Sequence, residues 1–124
     1  MSLWTWLKSL SRLAPRRWSE SDYVVSLIDD VIAVRCPDAQ EHRVSISDLC
    51  GVIIETDDSG PWGADLWWVL LGADDRVALA FPGGSTGEQI VIDRLMVLPG
   101  FNFEVMTRAM RSTDVAVFPV WRAT

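Results

Sequence analysis

The chain has 124 residues and a formal charge of −6, with 49% apolar and 23% charged side chains. That length and balance suit one domain with its own core. The acidic balance argues against a nucleic-acid partner, and no run of about eighteen apolar residues is present to cross a membrane as a helix.

The charge is unevenly spread. Residues 1–20 carry Lys8, Arg12, Arg16 and Arg17 against Glu20, a net of +3, so the remaining chain carries −9. The expected organisation is a basic amphipathic helix with a short linker over residues 1–21, followed by a single α+β domain over residues 22–124. Over residues 3–14, Leu3, Trp6, Leu7, Leu10, Leu13 and Ala14 share one arc at 100° per residue. Thr5, Lys8, Ser9 and Arg12 lie opposite, with Trp4 near the border. Pro15 ends the pattern. Three roles stay open for this helix: covering the sheet, lying on an anionic membrane surface through residues 3–17, or meeting a second subunit.

From Asp22 onward the period becomes two. Strands are expected at Tyr23–Ile28, Val31–Cys36, Arg43–Ser47, Gly51–Thr56, Leu66–Leu71 and Arg76–Phe81. Turns fall at Asp29-Asp30, at Pro37 to Gln40 and at Gly72 to Asp75. Both faces of Leu66–Leu71 are apolar, so that strand is expected in the centre of the sheet with cover on each side. In Arg76–Phe81, Val77, Leu79 and Phe81 form a bulky face, while Ala78 and Ala80 form a flat one that invites close approach.

The signal then turns helical. Ser85-Thr86-Gly87-Glu88 reads as a capping box, with Ser85 capping the Glu88 amide. The helix that follows carries Ile90, Val91, Arg94, Leu95 and Leu98 and stops at Pro99-Gly100. Asn102 caps a second helix, whose apolar side is expected to hold Phe103, Met106, Ala109 and Met110. Phe101 is placed to staple against Met106. A last strand, Val115–Arg122, contains Pro119 and is therefore expected at a sheet edge. Strands followed by helices imply an α+β fold. The expected fold is one antiparallel sheet of six or seven strands, an N-terminal amphipathic helix, and two helices before the last edge strand.

Chemistry-bearing motifs are scarce. The Gly83 to Gly87 loop opens a helix but lacks a Walker lysine, and Glu88 would compete with an anion for its amides. Glu55, Asp57, Asp58 and Asp65 cluster around the longest loop without the order of an EF-hand, and read as solvated turns. Cys36 and Cys50 lack metal-ligand spacing, and His42, read as a turn residue, has no implied partner. No catalytic residue, metal site or cofactor is expected. Trp62, in a Gly/Pro-rich loop, is a candidate exposed anchor for a partner, together with Trp4, Trp6, Lys8 and Arg12 of the helix.

Several segments carry a resemblance. Gly60-Pro61-Trp62, Asp65 to Gly72, Thr86-Gly87-Glu88, Leu98 to Asn102 with Glu104, and Ser112-Thr113-Asp114 with Phe118 and Trp121 together resemble a family of small bacterial proteins with no established activity. The resemblance spans roughly residues 22–122, implies no functional residue and leaves the N-terminal helix outside. The strands-then-helix order is also similar to pleckstrin-homology-like folds, though those end on their helix. The function expected from the whole is a non-enzymatic protein-interaction module in the cytoplasm, binding a protein partner or a second copy. The alternatives are a protein held at the inner membrane by residues 3–17, and a small enzyme or cation-binding protein using the loop carboxylates.

Overall fold

The computed structural model describes residues 19–57 and 66–123. The expected helix over residues 3–14, and the loop residues Asp58, Trp62 and Asp65, lie outside the described residues. The seven expected strands are present, but they divide between two antiparallel sheets. Strands β1 (Val24–Ile28), β2 (Val31–Arg35) and β3 (Glu41–Ser45) form a meander. Strands β4 (Gly51–Thr56), β5 (Leu66–Leu71), β6 (Val77–Pro82) and β7 (Ala116–Arg122) form the other sheet, in the order β6-β5-β4-β7. Helices α1 (Glu88–Met96) and α2 (Phe103–Arg111) separate β6 from β7 in the chain.

The single six- or seven-stranded sheet read from the sequence is thus incorrect, and the pairing explains why. A continuous meander would lay β3 along β4. Instead β3 runs into a helical turn at Ile46–Asp48, whose first amide donates to the Asp30 carbonyl. The place beside β4 is taken by β7, which pairs along the whole strand from Gly51↔Arg122 to Thr56↔Ala116. This fills both hydrogen-bonding edges of β4, because β5 holds the other. β7 lies at the sheet edge, where a proline can sit without breaking a ladder.

One core joins the two sheets. Val25, Ile32, Val34 and Val44 from the first sheet meet Val52, Ile54, Trp68, Leu70, Leu79 and Phe81 from the second. Trp68 and Phe81 are cross-strand neighbours and stack at 6.4 Å. The helices close this core. Val91 and Leu95 come from α1, which packs on β1, and Ala109 comes from α2, which packs on β7 and β4.

The inner place and the two buried faces expected for Leu66–Leu71 hold, while several other local expectations change. β5 is an inner strand, with Trp68 and Leu70 in the main core and Val69 and Leu71 buried on the opposite face. A bulge in β6 pairs Leu71 with Val77 and skips Ala78. Val77 therefore joins Ala80 on one face, and Ala78 packs with Leu79 and Phe81 on the other, so the bulky and flat faces are not the ones that strict alternation assigns. His42 lies in β3 and pairs with Val34 rather than sitting in a turn. Ser85 does not cap a helix. Its hydroxyl donates to the Pro82 carbonyl at 2.6 Å, and the helix starts after Gly87. Glu88 does reach back, accepting from the Gly84 amide at 3.0 Å. Asn102 caps α2 by accepting from the Val105 amide at 3.0 Å.

Of the turns that take positive φ, those at Gly87 and Ala39 have consequences that can be measured. Thr86 bridges to the open edge of β1: its carbonyl accepts from Val25 N–H, and its own amide donates to the Tyr23 carbonyl. Gly87 follows with φ +81°, and a Cβ there would meet the Val25 carbonyl oxygen at 2.5 Å. Gly87→Ala is therefore expected to cost about 2 kcal/mol or more in urea unfolding, through both the contact and the φ. The turn Cys36–Gln40 is a three-residue hairpin loop, with Ala39 at φ 72° where such loops favour glycine. Ala39→Gly is expected to stabilise by about 0.5 kcal/mol, relief of the left-handed strain exceeding the added freedom of the unfolded chain. An unchanged or lower midpoint would count against that strain.

Candidate functional site

The far face of the four-stranded sheet holds a buried carboxyl group, Glu55, with one oxygen left without a hydrogen-bond partner. On this face Ile53, Val69, Leu71 and Ala80 are buried together, with Trp67 and Val77 packed against them. No residue of α1 or α2 belongs to this cluster. The register puts Glu55 on the same face, opposite Trp67 of β5 on one side and Val117 of β7 on the other. Glu55 is 3% exposed, and its Oε2 has no hydrogen-bond partner. Burial raises its carboxyl pKa above the usual carboxylate value.

This corrects the reading of Glu55 as part of a solvated acidic cluster. β4 is inner and all six of its residues are buried, so the strand's last acidic residue is carried into the sheet. Thr56 beside it shows how a buried polar group is normally treated, since its hydroxyl donates to the Asp114 carbonyl at 2.6 Å. The sequence does contain a signal. Glu55 sits inside Gly51–Thr56, a run that is otherwise apolar or β-branched, and such a run asks for a buried strand.

Trp67 is fixed from its other side. Its ring meets Tyr23 edge-on, with centroids 5.7 Å apart at 85°. The Tyr23 hydroxyl is pushed up to about 12, first by burial and then by the thiol of Cys36 and the carboxylates of Asp38 and Glu20. Burial, with Asp38 adding to it, likewise pushes the Cys36 thiol up to about 11. A thiol in that state is a poor nucleophile at neutral pH. Both cysteines are free.

The Gly83 to Gly87 loop offers little to an anion. The Gly84 amide is taken by Glu88, the Ser85 amide by the Pro82 carbonyl, the Thr86 amide by Tyr23 and the Glu88 amide by Ser85. Among the described residues there is no group of three or more His, Cys, Asp or Glu side chains able to hold a metal, and no helix long and apolar enough to cross a membrane. The sequence-derived binding residues Trp62, Trp4, Trp6, Lys8 and Arg12 lie outside the described residues, as does the 3–14 helix as a whole.

The helical layer presents a second kind of surface. Phe103 and Met110, expected on the buried side of α2, are 53% and 49% exposed. The buried position of that helix is Ala109, with Val105 and Met106 half-buried against the core. Ile90 on α1 and Val97 at its end are also exposed. No protein-family model, no curated protein and no solved structure matches the chain.

The raised pKa of Glu55 sets a sign for stability against pH. Below the unfolded carboxyl value both states are protonated and nothing is lost. As pH rises from there through the folded value, the unfolded chain releases its proton first, and the native state loses stability relative to it. Glu55→Gln removes that loss. The variant should be more stable than the native chain at pH 8, with the gap closing towards pH 4. Equal urea midpoints across that range would show that Glu55 is not desolvated.

Proposed function

We propose that the chain is a non-enzymatic protein-interaction module of the cytoplasm, and that a partner docks on its helical layer, a second copy of the chain being the simplest. The observation that carries this reading is the exposure of Phe103 and Met110. They stand seven residues apart on α2 and so share one side of it. Ile90 and Val97 repeat the same spacing across α1. Apolar anchors at this spacing are what a helix offers when a partner reads it, and aromatic and Met side chains are enriched at interfaces. Two free cysteines fit a reducing compartment.

Sedimentation velocity across the micromolar range tests the reading on the full chain. The weight-average mass of the native protein should rise with concentration, and the double variant Phe103→Lys, Met110→Lys should remain monomeric. Its stability should fall by no more than about 1.5 kcal/mol, mainly from the lost Phe101–Phe103 ring contact at 5.1 Å. A native chain that stays monomeric at every concentration would rule out the second copy as partner. A much larger loss of stability would make the two side chains part of the core instead.

A further inference from the structure

The far face of the four-stranded sheet is covered, and the place where burial stops outlines the cover. Ile53, Val69, Leu71 and Ala80 are buried there, yet among the described residues their cluster is made of β4, β5 and β6 alone. A sheet face without a second layer leaves its side chains in water. On β7 the same face is wet: Val117 and Pro119, the cross-strand neighbours of Glu55 and Ile53, are exposed. The covering layer therefore lies over β4 to β6 and ends before β7. Its footprint runs about 13 Å along β5, from Trp67 to Leu71, and about 10 Å across the three strands. A helix over residues 3–14 would be about 18 Å long and about 10 Å across. Ala80, paired with Val69 in the middle of that footprint, is the small side chain that lets a helix come close.

We propose that residues 3–14 of this same chain are that cover, with the arc of Trp6, Leu7, Leu10 and Leu13 on the sheet and Lys8 and Arg12 in the water. The first described residues sit at one end of the footprint. The turn Glu20–Asp22 packs beside the exit of β6: a Cβ on Gly84 would meet the Glu20 Cβ at 3.2 Å, and the Thr86 hydroxyl donates to the Ser21 carbonyl at 2.7 Å. Tyr23 then meets the ring of Trp67. Residues 15–18 can span about 16 Å between residue 14 and Ser19, enough to bring the helix onto the face from that end. The loop of residues 58–65 does not serve instead. It leaves and returns at the Trp67 end, so it extends no more than roughly 15 Å, much of which goes into rising to a layer about 10 Å above the sheet. Leu71 and Val77, at the other end, stay out of its reach, and Trp62 is its one large apolar side chain. Charge agrees, since residues 1–20 carry a net +3 against −9 for the remainder. A cover there leaves Trp6 unavailable to a membrane or a second copy. It lies opposite the core that α1 and α2 close, so it stands or falls independently of the helical docking surface.

Hydrogen exchange of the full chain, read by mass spectrometry, tests this against a synthetic peptide of residues 1–18. The amides of residues 3–14 should exchange at least about tenfold more slowly in the chain than in the peptide. The double variant Leu7→Lys, Leu10→Lys should lose that protection, and Thr5→Lys, Ser9→Lys on the polar side should keep it. A photoactivated benzophenone amino acid in place of Trp6, ring for ring, should cross-link within one chain to the far face of β4, β5 or β6. That measurement decides the matter even where the leucine variant does not fold. Exchange at the rate of the peptide, protection that survives Leu7→Lys, Leu10→Lys, a cross-link between two chains, or a cross-link to α1 or α2 would each overturn the proposal.

Discussion

The architecture depends on β4 being paired on both sides. Its six residues are all buried, and its two neighbours come from very different distances in the chain. β5 is separated from it by a loop, whereas β7 is separated by two further strands and both helices. Pairing with β7 is what diverts β3 into its own sheet. It also anchors α2, because the bulge in β7 leaves the Val120 carbonyl free to accept the Asn102 amide at 2.7 Å, next to the helix cap. Trp121 adds a bond from its indole N–H to the Pro99 carbonyl at 2.8 Å. The chain between α1 and α2 is thus tied to the same strand that completes the sheet.

The strands and helices were legible in the sequence because each rests on a local period. Gly51–Thr56 and Leu66–Leu71 have the limits that their apolar runs imply. Their partners were not legible. Alternation says which way a side chain points but not which strand lies alongside, and nothing local in Ala116–Arg122 names β4. The bulges were hidden for a related reason. A skipped residue reverses the faces beyond it, as Val77 and Ala78 show, without changing the residue types that suggested the strand. The capping-box reading failed at Ser85 because the Glu88 amide meets the Ser85 backbone carbonyl at 3.3 Å, while the hydroxyl turns back to the Pro82 carbonyl as the chain leaves β6.

The site had a different kind of visibility. Glu55 was grouped by composition with the acidic residues that follow it, and composition favours water. Its environment is decided by strand position instead, since an inner strand has no solvated face when both sides of the sheet are packed. The exposed helix residues erred in the other direction. Phe103 and Met110 look like core by type, yet the α2 position that reaches the core fully is the small Ala109, which lets the helix approach β4 and β7 closely.

The distance between β4 and β7 along the chain has a consequence for how the protein is made. Some sixty residues separate Thr56 from Ala116, which at ordinary rates of synthesis is roughly 3–12 s of elongation. Throughout that interval one hydrogen-bonding edge of an apolar strand has emerged without the segment that will cover it. Pairing so remote in sequence also folds slowly, since the loop must close before any contact rewards it. A nascent chain of this design would be most exposed to strand-to-strand aggregation just before its last strand arrives, and so it would benefit most from a chaperone at that moment.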